Sequence, residues 1–156
     1  RQGSIDGAYW LRKPGPNCDV VIAYQGAVAP EAIKAAGAIA EGRRDIGVLA
    51  VTSADRLNAG WTAAQRARAA GNMGAEAHVE RLLNGLPSHC WIVTVLDGHP
   101  ATLSWLGAVT GHQTLPLGVE HFGQTGTIGD LYRHHGIDAA SIVGRISGLT
   151  VGRRLT

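Results

Sequence analysis

Three short runs of apolar, largely β-branched residues constrain this chain more than anything else in it. They are residues 19–24 (DVVIAY), 46–51 (IGVLAV) and 91–96 (WIVTVL). None of them alternates polar with apolar, as a strand with one wet face must. Each is too short for a helix core, and continuous apolar character over five or six residues suits a strand buried on both faces. Such strands occur where helices cover both sides of a parallel sheet.

The intervening segments carry helical patterns. Pro30 stands at a helix start, where its missing N–H costs little. Ile33, Gly37 and Ala40 recur at helical spacing, and Gly42 closes that segment. The Ala-rich, Arg-containing stretch 62–70 predicts an exposed helix. A second helix follows, with Val79, Leu82, Leu83 and Leu86 as its apolar stripe. Pro100 opens another, carrying Leu103, Trp105 and Leu106, and residues 113–119 predict a short fourth strand. Thr127 and Asp130 form a variant capping box for a helix ending at His135, with Gly136 at the C′ position. Asp138 is placed to cap the last helix, whose buried face holds Ile142, Val143 and Ile146. Residues 8–12 (AYWLR) predict an extra edge strand, and Pro14-Gly15-Pro16 a sharp loop.

The expected fold is therefore α/β, a three-layer open, mostly parallel sheet with helices on both faces. The expected organisation is a linker with the edge strand over 1–17, one domain over 18–147, and a tail over 148–156. The chain opens Arg1-Gln2-Gly3 rather than on methionine, and it is expected to be a piece of a longer polypeptide.

Composition narrows the function classes. With 45% hydrophobic and 17% charged residues and a net charge of +2, nothing draws the chain to nucleic acid or to a membrane surface. The arginines are scattered, and no apolar stretch approaches a membrane span. The two cysteines, Cys18 and Cys90, form no disulfide framework. They read as buried, reduced thiols, consistent with a cytoplasmic location.

In an open parallel sheet, ligands bind beyond the carboxyl ends of the strands. Those ends carry Tyr24-Gln25-Gly26, Thr52-Ser53, Asp97-Gly98-His99 and Glu120-His121. Asp97, His99, Glu120 and His121 have the chemistry of acids, bases or metal ligands. Equally, Asp97 and Ser53 stand where helix caps belong, and Glu120 and His121 suit ordinary loops. Gly123-x-x-Gly126-x-x-Gly129 lies between a strand and a helix, where backbone N–H groups can hold an anion. It is not the dinucleotide fingerprint, and a tight turn explains the glycines better. Seven histidines suggest metal, yet H-E-x-x-H and paired C-x-x-C are missing. His134 and His135 are consecutive on a helix, so their side chains diverge by about 100°. The four tryptophans, Trp10, Trp61, Trp91 and Trp105, read as core or interface residues. No catalytic, cofactor-binding or metal residue is assigned.

Three segments carry a resemblance. They are residues 18–36 (CDVVIAYQGAVAPEAIKAA), 47–61 (GVLAVTSADRLNAGW) and 117–143 (LGVEHFGQTGTIGDLYRHHGIDAASIV). In order and spacing they resemble the C-terminal domain of the transketolase and homodimeric pyruvate dehydrogenase first-component family, whose enzymes depend on thiamine diphosphate. The matching positions include Val51-Thr52-Ser53 and Leu57, the Phe122-Gly123 pair, Leu131, Gly136-Ile137-Asp138 and Ile142-Val143. Arg133-His134 before Asp138-Ala139, and the Ala-rich insert between Gly60 and Gly85, lean toward the dehydrogenase branch. The resemblance implies a parent that decarboxylates a 2-oxo acid and passes the acyl group to a lipoyl carrier. Its alternative is a transketolase moving two-carbon units between sugar phosphates.

The same resemblance implies what the chain lacks. The family holds the cofactor diphosphate and a divalent metal, magnesium, with a G-D-G motif followed by an asparagine. Here Asp97-Gly98 follows Leu96, and no matching asparagine lies downstream. The cofactor-activating glutamate belongs to another domain. The implied role is an accessory and dimer-interface domain, not catalytic alone. Its implied partners are the missing catalytic domains, a second copy in a homodimer, and an acyltransferase core. Readings from another class are a free-standing protein-interaction domain and a phosphate-binding domain using Gly123 to Gly129.

Overall fold

A computed structural model describes residues 2–42, 45–121, 123 and 126–154. Helix α1 (Gln2–Ile5) leads into β1 (Ala8–Arg12), β2 (Val20–Gln25), α2 (Ala29–Glu41), β3 (Ile46–Val51), α3 (Ala54–Ala69) and α4 (His78–Leu83). Then come β4 (Trp91–Leu96), α5 (Ala101–Ser104), α6 (Leu106–Thr110), β5 (Thr114–Leu117), α7 (Ile128–His135) and α8 (Ala139–Arg154). The strands form one sheet in the order β1-β3-β2-β4-β5. Strand β1 runs antiparallel to β3 at the edge, and every other pairing is parallel.

The three apolar runs are the three inner strands. Ile22 of β2 pairs with Val48 on one side and Val93 on the other. Alternate residues feed two cores. On one face Ile22, Val48 and Val93 meet Ala32, Ala35, Ala36 and Ile39 of α2 and Ile142 and Ile146 of α8. On the other, Val21, Ala23, Leu49 and Ile92 meet Leu57 of α3, Val79 and Leu83 of α4, Leu103 of α5 and Leu106 of α6. Two covered faces are what continuous apolar strands require, and the expected three-layer α/β sheet is the observed one.

Several local details differ from the sequence reading. The α2 helix forms, but it buries Ala32, Ala35, Ala36 and Ile39, leaving Ile33 45% exposed. The buried face is thus offset from the one that Ile33, Gly37 and Ala40 define. Small alanines fill it because a helix lying close on a sheet has room for little more. Helix α3 begins at Ala54, not near Thr62, because the Ser53 hydroxyl accepts from the Arg56 N–H and caps it. The segment after Pro100 divides at Trp105 into two short helices. Trp105 there stacks on Trp61 with ring centroids 5.5 Å apart. Helix α8 continues through Gly148 to Arg154, so the described part of the expected tail is helical.

The Ala-rich insert is tied down chiefly by the Arg68–Glu80 ion pair, beside a longer and more exposed one between Arg81 and Glu76. Arg68 Nη2 donates to Glu80 Oε1 at 2.6 Å and Arg68 Nη1 to Glu80 Oε2 at 3.1 Å. Glu80 Oε2 also accepts from the Ala77 N–H at the start of α4, at 2.7 Å. The Arg68 hydrogen bonds hold the Glu80 carboxyl below the usual carboxylate range, against the opposing effect of burial. A depressed folded pKa means stability that is full above the unfolded value and lost as pH falls through the folded one. The Glu80→Gln variant should therefore be less stable than the parent at neutral pH. That difference should shrink as pH drops below the ordinary carboxylate range, as urea midpoints at successive pH values would show.

Candidate functional site

The carboxyl ends of the strands were the expected place for chemistry. The structure engages most of them in holding the fold. At the end of β3, the Thr52 and Ser53 N–H groups both donate to the Gly7 carbonyl, at 2.8 and 3.1 Å. Strand β2 ends at Gln25, whose Oε1 is buried without a hydrogen-bond partner among the described residues. Gly26 follows at φ +84, and a Cβ there would lie 2.7 Å from Asp97 Oδ1. Glycine is thus required on conformational and steric grounds together. After β4, His99 Nδ1 accepts from the Ala101 N–H at 3.1 Å, and the Gly98 carbonyl accepts from the Val119 N–H at 2.8 Å. These bonds support the cap reading of Ser53, whereas after β4 it is His99 rather than the expected Asp97 that accepts the Ala101 N–H.

Asp97 belongs to a small electrostatic group that sequence reasoning missed. Burial raises the Tyr132 phenol above its ordinary range, and the nearby Asp97 and Glu31 carboxylates raise it further. Glu31 Oε2 accepts from the Ala139 N–H at 2.7 Å, a bond across 108 residues. Glu31 thus fills a capping role at the start of α8, where the sequence reading placed Asp138. Asp138 Oδ1 accepts from the Ser141 hydroxyl, while Glu31 reaches from the first turn of α2 to the first residue of α8. No local signal marks such a pairing. Replacing Glu31 with alanine leaves that N–H unpaired and should cost about 1–2 kcal/mol, read by chemical denaturation.

Glu120 and His121 follow Val119, which is hydrogen-bonded to Gly98. With Pro116, Leu117, Gly118, His134, His135 and Arg145 they line a cleft of about 300 Å³. Neither Asp97 nor His99 is among its walls. The His134 and His135 rings do not spread as consecutive helical positions suggest. They meet edge to face with centroids 4.9 Å apart. Among the described residues, no group of three or more His, Cys, Asp or Glu side chains is placed to hold a metal ion. At Leu96-Asp97-Gly98 a leucine stands where the G-D-G motif has its first glycine, and the Asp97 carboxylate lies against Gly26.

In the glycine-rich segment before α7 the described backbone is irregular, with a bend at Gly126. Gly123 has φ +109, and Gly129 stands inside α7 with open space around it. The Thr127 hydroxyl caps α7 by accepting from the Asp130 N–H, and Gly136 closes it at φ +70. Phe122, Gln124 and Thr125 lie outside the described residues. No described helix is long and apolar enough to cross a membrane.

The arrangement is an α/β domain whose strand ends are occupied by caps and turns. Residues 7–138 match the family model described as the transketolase-like TK C-terminal domain. The chain belongs to this family. No curated protein matches it significantly. Among solved structures it is similar to the transketolase of Leishmania mexicana, at 21% identity and a TM-score of 0.65, over 95% of this chain and 18% of that one. The transketolase of Campylobacter jejuni is similar at 17% identity and a TM-score of 0.64, over 92% of this chain and 18% of that one. A split-gene transketolase, described as an inactive β4 tetramer, is similar at 14% identity and a TM-score of 0.62, over 91% of this chain and 41% of that one. These likenesses concern the fold. The chain spans about a fifth of the length of the first two proteins.

Proposed function

We propose that this chain serves as the C-terminal accessory and subunit-interface domain of a thiamine-diphosphate-dependent enzyme and catalyses nothing alone. The match of residues 7–138 to the C-terminal domain family carries this reading. The domain body would span residues 18–147, joined to the catalytic domains through residues 1–17. Two structural features support it. The strand-end residues Ser53 and His99 accept backbone N–H groups of the helices that follow them. The edge strand and the short helix before it also expose apolar side chains, Tyr9 39%, Leu11 47% and Ile5 52%. An apolar strip of that kind suits a surface that meets another domain or subunit.

In this reading the cofactor and its magnesium are held elsewhere in a homodimeric parent. The parent decarboxylates a 2-oxo acid such as pyruvate and hands the acyl group to a lipoyl carrier on an acyltransferase core. A second reading, a parent transferring ketol units between sugar phosphates, draws on the fold likeness to transketolases. Assay of the native protein that carries this sequence separates them. Turnover of 2-oxo acids supports the first, turnover of sugar phosphates the second, and neither activity in a cofactor-loaded preparation counts against both.

A further inference from the structure

Cys18 and Cys90 are the only cysteines of the chain, and they come together across 72 positions of sequence. Cys18 precedes β2 and Cys90 precedes β4, and those two strands are neighbours. The Trp91 N–H donates to the Asp19 carbonyl at 3.0 Å, which fixes the two chain segments beside each other at this level. Both thiols are buried, and their sulfurs lie 3.8 Å apart. The Cys90 S–H donates to Cys18 Sγ, and the Cys18 S–H donates to the Val20 carbonyl at 3.1 Å. Nothing in the accessory role described above uses a thiol.

A disulfide S–S bond is about 2.05 Å long. The sulfurs must therefore approach by less than about 2 Å, a movement that side-chain rotation and a slight adjustment of the preceding loop can supply. The geometry points to a reversible disulfide between Cys18 and Cys90 inside the folded domain, formed by a small hydroperoxide and reopened by a dithiol. The two sulfurs have different parts. The Cys90 hydrogen bond lowers the Cys18 pKa, whereas the same contact, with burial, raises Cys90. Cys18, whose sulfur accepts the Cys90 S–H, is assigned as the nucleophile and Cys90 as the resolving thiol.

The Cys18 thiolate attacks one peroxide oxygen. The O–O bond breaks, the departing oxygen leaves as water with the proton the thiol released, and Cys18 becomes a sulfenic acid. The Cys90 sulfur then attacks the Cys18 sulfur. The S–O bond breaks, and the hydroxide leaves as water with the Cys90 proton. Together the thiols give up two electrons and two protons, and one hydrogen peroxide becomes two waters.

The test uses the full chain, folded, exposed to hydrogen peroxide, then denatured and alkylated with N-ethylmaleimide for intact-mass and peptide analysis. The expected result is loss of both alkylation sites together, a Cys18–Cys90 cross-linked peptide in monomeric protein, and recovery of both sites after dithiothreitol. In Cys90→Ser the reaction should stop at a Cys18 sulfenic acid that dimedone traps. In Cys18→Ser the remaining thiol should react about tenfold more slowly than Cys18 does in Cys90→Ser. The inference is overturned if both wild-type thiols still alkylate after an exposure that fully oxidises free cysteine. It is equally overturned if the products are cross-linked dimers, or sulfinic and sulfonic acids without the internal bond. The wild-type measurement stands even if either variant fails to fold.

Discussion

Replacing Ile22 with alanine is expected to destabilise the domain by about 2–5 kcal/mol, the range for emptying a core site that cannot collapse. Ile22 is fully buried in β2, the middle strand of the sheet. Its backbone is held by β3 and β4 together, so the strand cannot move to fill the space. Its side chain lies in the core beneath α2 and α8. The urea midpoint should fall with little change in slope, since the surface exposed on unfolding is nearly the same. The control is Ile33→Ala on α2. Ile33 belongs to the stripe that sequence spacing suggests, yet it is 45% exposed. Its loss should cost well under about 1 kcal/mol. Equal losses at the two sites would mean that α2 presents the other face to the sheet.

The Gly107→Ala variant should lose about 1–3 kcal/mol, the range for forcing an extra carbon into a filled site. The sign is the informative part, because alanine in an open helix position usually gains about 1 kcal/mol over glycine. Gly107 is buried in α6. A Cβ there would sit 1.9 Å from Thr114 Oγ1 and 2.6 Å from the His112 carbonyl oxygen. His112 cannot easily yield, since its ring is held by the Thr110 hydroxyl at 2.7 Å and the Pro87 carbonyl at 3.0 Å. Adding Thr114→Ala removes the first obstacle and leaves the second, so the double variant should recover part of the loss. Gly129→Ala, inside α7 with nothing within 4 Å of the new carbon, should be neutral or stabilising. A Gly107→Ala protein as stable as the parent would show that α6 and β5 do not approach this closely.

These variants probe what was and was not legible in the sequence. Strands β3 and β4 have the boundaries their apolar runs indicate, because burial on both faces keeps them almost wholly apolar, with Thr94 the one polar side chain inside them. The α7 boundaries were equally legible, since Thr127 and Gly136 are local signals acting within one turn. Strand β5 is shorter than residues 113–119 suggest, because Gly118 and Val119 turn back against Gly98. The face of α2 was not legible. Alanines and isoleucines at neighbouring positions define two overlapping stripes, and only the sheet decides between them.

The candidate site divides the same way. Ser53 as a cap could be read from position alone. Glu31 at the start of α8, Asp97 against Gly26, the Trp61–Trp105 stack and the Cys18–Cys90 contact are meetings of residues far apart in the chain. Chain topology, not local pattern, brings them together. Family membership came from a third source. The order and spacing of three segments carried it, while no single residue in them has a chemistry specific to the family.

The central claim is that this domain serves a thiamine-diphosphate enzyme without holding the cofactor itself. The most direct test is to purify the native protein that carries this sequence and measure thiamine diphosphate against polypeptide, with the 156-residue chain alone treated identically. The account predicts cofactor in stoichiometric amount in the native protein and none retained by the isolated chain. A native protein of verified integrity that neither contains nor takes up thiamine diphosphate would contradict it, as would an isolated chain that binds the cofactor by itself.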